Sequence, residues 1–227
     1  MPASPACPVN VRDLGGLPLL DGGRTAPGVL LRGDAPYAGD VAPSGVAWPP
    51  AAVLDLRAAH ERRRSPYPWP ATTTVTPWPL GSIADPAHLG TRSILDVYAE
   101  LLEVAAPRIA TVLPQLSADG ATFVHCAAGK DRTGLVIGAL LLLAGVTPEA
   151  VVADYERTQE RMDAVVGRLT TFADLHPDGM RPEWLTAPAE AIGLLLEAVG
   201  DDPAAWFIRH GADGGDVDRW RDRIRAG

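Results

Sequence analysis

Lysine is almost missing from this chain. Of 20 basic residues among 227, Lys130 is the one lysine and the remaining 19 are arginine. Positive charge of either kind is in deficit, because 28 acidic residues leave a net charge of −8. That excludes a nucleic-acid binder working through bulk electrostatics, so any anion site must be local. Cysteine is scarce as well, Cys7 and Cys126 alone, which excludes a disulfide framework. The longest apolar run, Leu135 to Val146, falls short of the roughly 18–20 residues a membrane span needs, so no integral membrane segment is expected. The first residues show neither a charged stretch nor an apolar core of the secretory kind. The expectation is a cytoplasmic protein, with secretion by a leaderless route left open. The histidines at 60, 88, 125, 176 and 210 have no metal-ligand spacing, so no metal and no cofactor are expected.

What is present suits a globular fold. At 47% hydrophobic residues the chain can fill a core, and its length suits a single domain over 1–227. The 22 prolines and 23 glycines imply many turns, and the richness in Ala, Gly, Pro and Arg points to a G+C-rich, bacterial genome. Gly28 to Gly33, Ala51 to Leu56, Thr72 to Trp78 and Ala121 to His125 read as strands, the third with Pro77 near its end or on an edge. Arg92 to Ala106 has helical spacing, with Ile94, Leu95, Tyr98, Leu101 and Leu102 on one stripe, and Pro107 starts or kinks the next turn. Thr133 to Ala144 is apolar nearly all round and predicts a buried central helix ended by Gly145. Thr147 and Pro148 open a further helix, which the pattern carries from Val151 through Met162 to Leu169. Shorter helices follow at Ala189–Val199, Pro203–His210 and Val217–Arg225, with Asp202 and Asp216 as caps. The fold class is α/β: a small central mixed sheet flanked by helices on both faces, with a helical C-terminal part.

The chemistry concentrates in His125-Cys126-Ala127-Ala128-Gly129-Lys130-Asp131-Arg132-Thr133-Gly134. A strand delivers this loop and a buried helix leaves it, and five residues separate Cys126 from Arg132. In that geometry the backbone N–H groups of residues 127 to 132 turn inward as an anion nest, and the helix N-terminus adds positive potential. Both favour the thiolate of Cys126, and Arg132 adds a full charge. A phosphate monoester would dock on Ala127, Ala128, Gly129, Lys130, Asp131, Arg132 and Thr133, and Cys126 would attack phosphorus in line. Thr133 is placed to hydrogen-bond Cys126, and His125 to fix the loop from behind. The run is not an ATP-binding Walker loop, because Asp131 follows Lys130 where Ser or Thr is required.

HCAAGKDRTG resembles the signature of the bacterial tyrosine phosphatase family with an HCxxGKDR loop, related to lipid and atypical dual-specificity phosphatases. Asn10 to Asp34 is similar to that family's N-x-R-D-L-G-G segment, Asp55-Leu56-Arg57 with Glu61 to its D-L-R…E segment, and Asp154-Tyr155 and Arg181-Pro182-Glu183-Trp184 to further short blocks. The resemblance covers most of the chain. It implies activity on phosphotyrosine and, for some members, on phosphoserine, phosphothreonine and phosphoinositides, so the expected partner is a phosphorylated protein or phosphoinositide.

Two residues compete as general acid: Asp131 inside the loop, and Asp85, 41 residues before Cys126, where related cysteine phosphatases carry an acid on a loop. Lys130 offers a point charge for a second phosphate. Arg57, Arg62, Arg63 and Arg64 form either a solvated face or a substrate-facing patch, and Arg12-Asp13 reads as an ion pair and turn. Two other classes share a cysteine loop: a rhodanese-type sulfurtransferase, and a phospho-ligand binding module without turnover. Nothing in the sequence sets the oligomeric state.

Overall fold

A computed structural model describes residues 6–81, 93–173 and 182–225. The short aliphatic runs become strands β1 (Arg12–Asp13), β2 (Leu30–Gly33), β3 (Ala52–Asp55), β4 (Thr74–Pro77) and β5 (Thr122–His125) of one sheet ordered β1-β2-β5-β3-β4. β1 is antiparallel to β2, and the other pairings are parallel. Gly33, His125, Asp55 and Pro77 lie in register, so four strands end at the same edge. The chain order reverses on either side of β5, and such a switch point is where open α/β sheets bind ligands. β2, β3 and β5 are buried throughout, as parallel strands covered on both sides must be. β4 is the edge, which is why it tolerates Pro77.

The helices are α1 (Ala59–Arg64), α2 (Ile94–Ala110), α3 (Asp131–Ala144), α4 (Pro148–Glu156), α5 (Met162–Phe172), α6 (Ala189–Val199), α7 (Pro203–Arg209) and α8 (Gly214–Arg225). Every residue of α3 after Asp131 is buried. Each fully buried Leu, Ile or Val contributes about 1.5–3 kcal/mol, so this helix is the axle of the core. α2, α4, α6, α7 and α8 all pack on it. The opposite sheet face buries Leu31, Val53 and Phe123 under Val46, Trp48 and Trp69, all from loops.

Several local expectations need correction. The helix predicted to run from Val151 to Leu169 is broken between α4 and α5 by a 3-10 turn at Gln159–Arg161. The break buries Thr158 beside Arg12 and lets the Gln159 side chain accept the Ala187 N–H at 2.8 Å. The turn of helix expected from Pro107 is continuous with α2, which runs on to Ala110 with Ala105, Ala106, Ile109 and Ala110 all buried. Leu95 falls off its buried stripe and is exposed. α8 starts at Gly214, with Asp213 accepting the Gly215 N–H, so Asp216 sits in its first turn and is not the cap. Arg12 and Asp13 do not pair. Arg12 binds Asp154, while the Asp13 carboxylate gathers the N–H groups of Gly15 and Gly28.

Candidate active site

The loop from Cys126 to Lys130 leaves the C-terminal end of β5, and its carbonyls are all engaged. The Cys126 carbonyl faces His125 Nδ1 at 3.0 Å, and that of Ala127 accepts the Ala35 N–H at 3.0 Å. Asn10 Nδ2 donates to the Ala128 and Gly129 carbonyls at 3.3 and 3.4 Å, and Arg32 Nη2 donates to Gly129 at 2.9 Å. The Lys130 carbonyl accepts from Gly134 N–H in the first turn of α3. The N–H groups of 127–132 have no partner among the described residues. Unpaired N–H groups at a helix N-terminus, just after Cys126, are what an anion nest requires. Gly129 has φ +68°, and a Cβ there would lie 2.3 Å from the Gly33 backbone, so only glycine fits.

Arg32 is held in turn. Its Nη1 meets Asp154 at 2.6 Å, and Arg12 Nε meets the other carboxylate oxygen at 2.7 Å, all three side chains being buried or nearly so. Burial alone would raise the Asp154 carboxyl, but the charges of Arg32 and Arg12 outweigh it and hold it low. Removing either partner from such a buried pair typically costs about 3–5 kcal/mol. Asn10, Arg12 and Asp154 are thus a scaffold behind the loop.

Arg132 projects from the first turn of α3 with its end-on fork on Glu61, at 2.7 and 2.8 Å. The other Nη1 proton is shared between the Leu56 and Gly81 carbonyls, each 3.3 Å away. The remaining donors, Nε–H and the second Nη2–H, share one side of the guanidinium and have no partner among the described residues. Glu61 is delivered by α1, whose start it caps by accepting the Ala58 N–H at 2.7 Å. Burial opposes its charge, yet Arg132 keeps its carboxyl below the usual range. Composition and spacing carry no sign of this role, although Glu61 falls within a block that the family resemblance marks. Glu61→Gln should lower kcat/KM on p-nitrophenyl phosphate about 10–100-fold, as expected from weakening a charge-assisted pair. Initial-rate kinetics check this, and an unchanged value would mean Arg132 needs no such clamp.

His125 is fully buried and stacked on Phe123, with ring centroids 5.1 Å apart. Its Nδ1 must carry the proton, since a carbonyl faces it; Nε2 lies 3.9 Å from Asp55 without a hydrogen bond. Burial pushes its pKa down to about 4. The unfolded chain therefore binds one more proton between about pH 6.5 and pH 4, and folding stability falls as pH drops through that window. The loss approaches about 3 kcal/mol at its lower end. Urea melts of wild type and His125→Gln at pH 7 and pH 4.5 measure it, and the variant should show the smaller fall.

Three other predicted roles come out differently. Lys130 is buried, its ammonium donating to the carbonyls of Trp184 at 2.7 Å and Thr186 at 2.9 Å, with Asp131 Oδ1 at 3.3 Å. It staples the segment before α6 to the loop and is not a free charge awaiting a second phosphate. Thr133 is fully buried, and its Oγ1 has no partner among the described residues, so its predicted hydrogen bond to Cys126 is not formed. The arginine cluster splits: Arg57 is buried on Asp55 and the Ser65 carbonyl, whereas Arg63 and Arg64 are exposed. Asp131 opens α3 with its carboxylate beside the loop, accepting from Tyr98. Asp85 and Arg181 lie outside the described residues. Among the described residues no cluster of His, Cys, Asp or Glu could hold a metal, and no helix is long and apolar enough to cross a membrane.

Unpaired N–H groups after Cys126, with an arginine clamped on a carboxylate in the first turn of the same helix, would suit a phosphate-directed nucleophile. In keeping with that, residues 6–226 match the family described as "Tyrosine phosphatase family", and the chain belongs to it. It is similar to a tyrosine-protein phosphatase of Nostoc commune, 42% identical over 65 residues, covering 28% of this chain and 22% of that protein. It is also similar to the triple specificity protein phosphatase PtpB of Mycobacterium tuberculosis, 33% identical over 109 residues, covering 39% of this chain and 40% of the relative. The matches thus span less than half the length of either relative.

Proposed function

We propose that this protein hydrolyses phosphate monoesters through a phosphocysteine intermediate, with phosphotyrosine as the first substrate class. The observation that carries this is the arrangement around Cys126: loop oxygens hydrogen-bonded, and N–H groups and one side of the Arg132 guanidinium without partners among the described residues. The ester's phosphoryl oxygens would take those donors. Cys126 Sγ would form the S–P bond as the P–O bond to the leaving group breaks, and Asp131 would hand that oxygen a proton. Water would then cleave S–P, with Asp131 taking a proton back. Arg132 and the nest stabilise the charge on the equatorial oxygens in both steps.

Family membership supports phosphoryl transfer over the sulfurtransferase reading, and an intact Cys126 argues against a binding module. The name of the mycobacterial relative extends the proposal to phosphoserine and phosphothreonine. Phosphoinositides lose support, because the charge meant for a second phosphate is occupied. Two free cysteines suit a reducing cytoplasm.

The test is release of phosphate from p-nitrophenyl phosphate with and without EDTA and vanadate. Activity should persist in EDTA and vanish with vanadate, which mimics five-coordinate phosphorus. Loss on chelation, restored by a divalent ion, would overturn the thiolate mechanism.

A further inference from the structure

Behind Asp131 lies a pair of phenols that the reaction as described does not use. Tyr98 on α2 is fully buried, and its hydroxyl lies 2.5 Å from Asp131 Oδ1 and 2.6 Å from the Tyr155 hydroxyl on α4. Donor counting assigns the protons. A carboxylate only accepts, so Tyr98 spends its one proton on Asp131, and Tyr155 must donate to Tyr98. The chain of donors runs one way, Tyr155 to Tyr98 to Asp131. Burial first, then Asp131 and Tyr155, drive the Tyr98 phenol well above its usual range, and Tyr155 moves the same way. Both keep their protons throughout the neutral range.

The two carboxylate oxygens are thereby made different. Oδ1 holds the Tyr98 bond and has Lys130 Nζ 3.3 Å away, while Oδ2 has no partner among the described residues. Lys130 in turn is fixed by the carbonyls of Trp184 and Thr186. The rotation of Asp131 is therefore set from α2 and from the segment before α6. The acid needs no closing lid to be aimed.

We propose that Tyr98, backed by Tyr155, is a positioning residue for Asp131: it pins one carboxylate oxygen so that the other meets the leaving group. This rests on Asp131 being the general acid. As the P–O bond breaks and the proton passes from Asp131 to the departing oxygen, negative charge appears on the carboxylate. A hydrogen bond from Tyr98 strengthens with that charge, so its benefit falls in the transition state.

A purely structural role makes a different forecast, because two buried phenols left to each other would strand one proton, and Asp131 could merely absorb it. Leaving-group dependence separates the two. Tyr98→Phe should leave kcat/KM on p-nitrophenyl phosphate within about 2-fold and lower it about 10-fold on a phosphotyrosine peptide, whose leaving oxygen is more basic. Tyr155→Phe should show the same pattern at smaller size, and it carries the comparison if thermal melting shows that Tyr98→Phe does not fold. In an Asp131→Asn background Tyr98→Phe should add nothing, since the two act as one unit. Equal losses on both substrates, or no loss on either, would overturn the positioning role. If Asp131→Asn alone then shows the leaving-group pattern, the acid assignment stands without Tyr98. If Asp131→Asn shows no such pattern, the acid assignment fails and this proposal falls with it.

Discussion

Replacing Cys126 with serine is expected to lower turnover of p-nitrophenyl phosphate by on the order of 10⁴-fold or more, while binding of inorganic phosphate survives. The size follows from losing the covalent path, since removal of a nucleophile leaves only what binding and electrostatics supply. His125 cannot serve a serine hydroxyl as base: it turns its proton-bearing nitrogen to the Cys126 carbonyl and is otherwise sealed against Phe123 and Asp55. Binding survives because its parts lie elsewhere. The nest is shaped by Asn10, Arg32 and Ala35, and Arg132 is clamped by Glu61. Calorimetric titration with phosphate and single-turnover kinetics measure the two halves separately. A wild-type sample quenched in acid during turnover should carry phosphate on Cys126. Retention of substantial activity by the serine variant would sink the phosphocysteine route, and loss of phosphate binding would mean the thiol itself shapes the cradle.

Much of this site was legible in the sequence because its logic is local. Cys126, Gly129, Asp131 and Arg132 lie within one strand–loop–helix turn, and adjacency in sequence there means adjacency in space. The apolar run that makes α3 also announced its burial, and the β-branched and aliphatic runs announced β2 to β5. What escaped was long-range. Glu61 reaches Arg132 across 71 positions, Arg12 reaches Asp154 across 142, and Tyr98 reaches Asp131 across 33. No periodicity encodes such pairings. Tyr98 reads as one member of an apolar stripe, which it is, and its hydroxyl matters only once α2 is docked beside α3. Lys130 misleads for a related reason: a lone lysine in a phosphate loop suggests a ligand contact, but its ammonium finds backbone carbonyls 54 and 56 positions further along the chain. The break between α4 and α5 was hidden because the apolar pattern resumes in phase after Arg161.

Replacing Asp131 with asparagine is expected to cost little on p-nitrophenyl phosphate and about 10²–10⁴-fold on an alkyl phosphate, with a phosphotyrosine peptide between them. The physical reason is the leaving group. A p-nitrophenolate departs without much protonation, whereas a serine or inositol oxygen leaves as a costly alkoxide unless a proton arrives with it. Asparagine keeps the shape of the carboxyl and can still meet Tyr98, but has no proton to give. Two features favour Asp131 as the acid. It stands one residue before Arg132 on the first turn of α3, and one of its oxygens is pinned while the other has no partner among the described residues. One feature opposes it: Oδ1 already carries an ion pair, with Lys130 Nζ 3.3 Å away. Comparing kcat/KM across p-nitrophenyl phosphate, phosphotyrosine and phosphoserine peptides for wild type, Asp131→Asn and Asp85→Asn decides the assignment. A loss that grows with leaving-group basicity in Asp85→Asn, with uniform losses in Asp131→Asn, would make Asp85 the acid and reduce Asp131 to a strut between the loop and Tyr98.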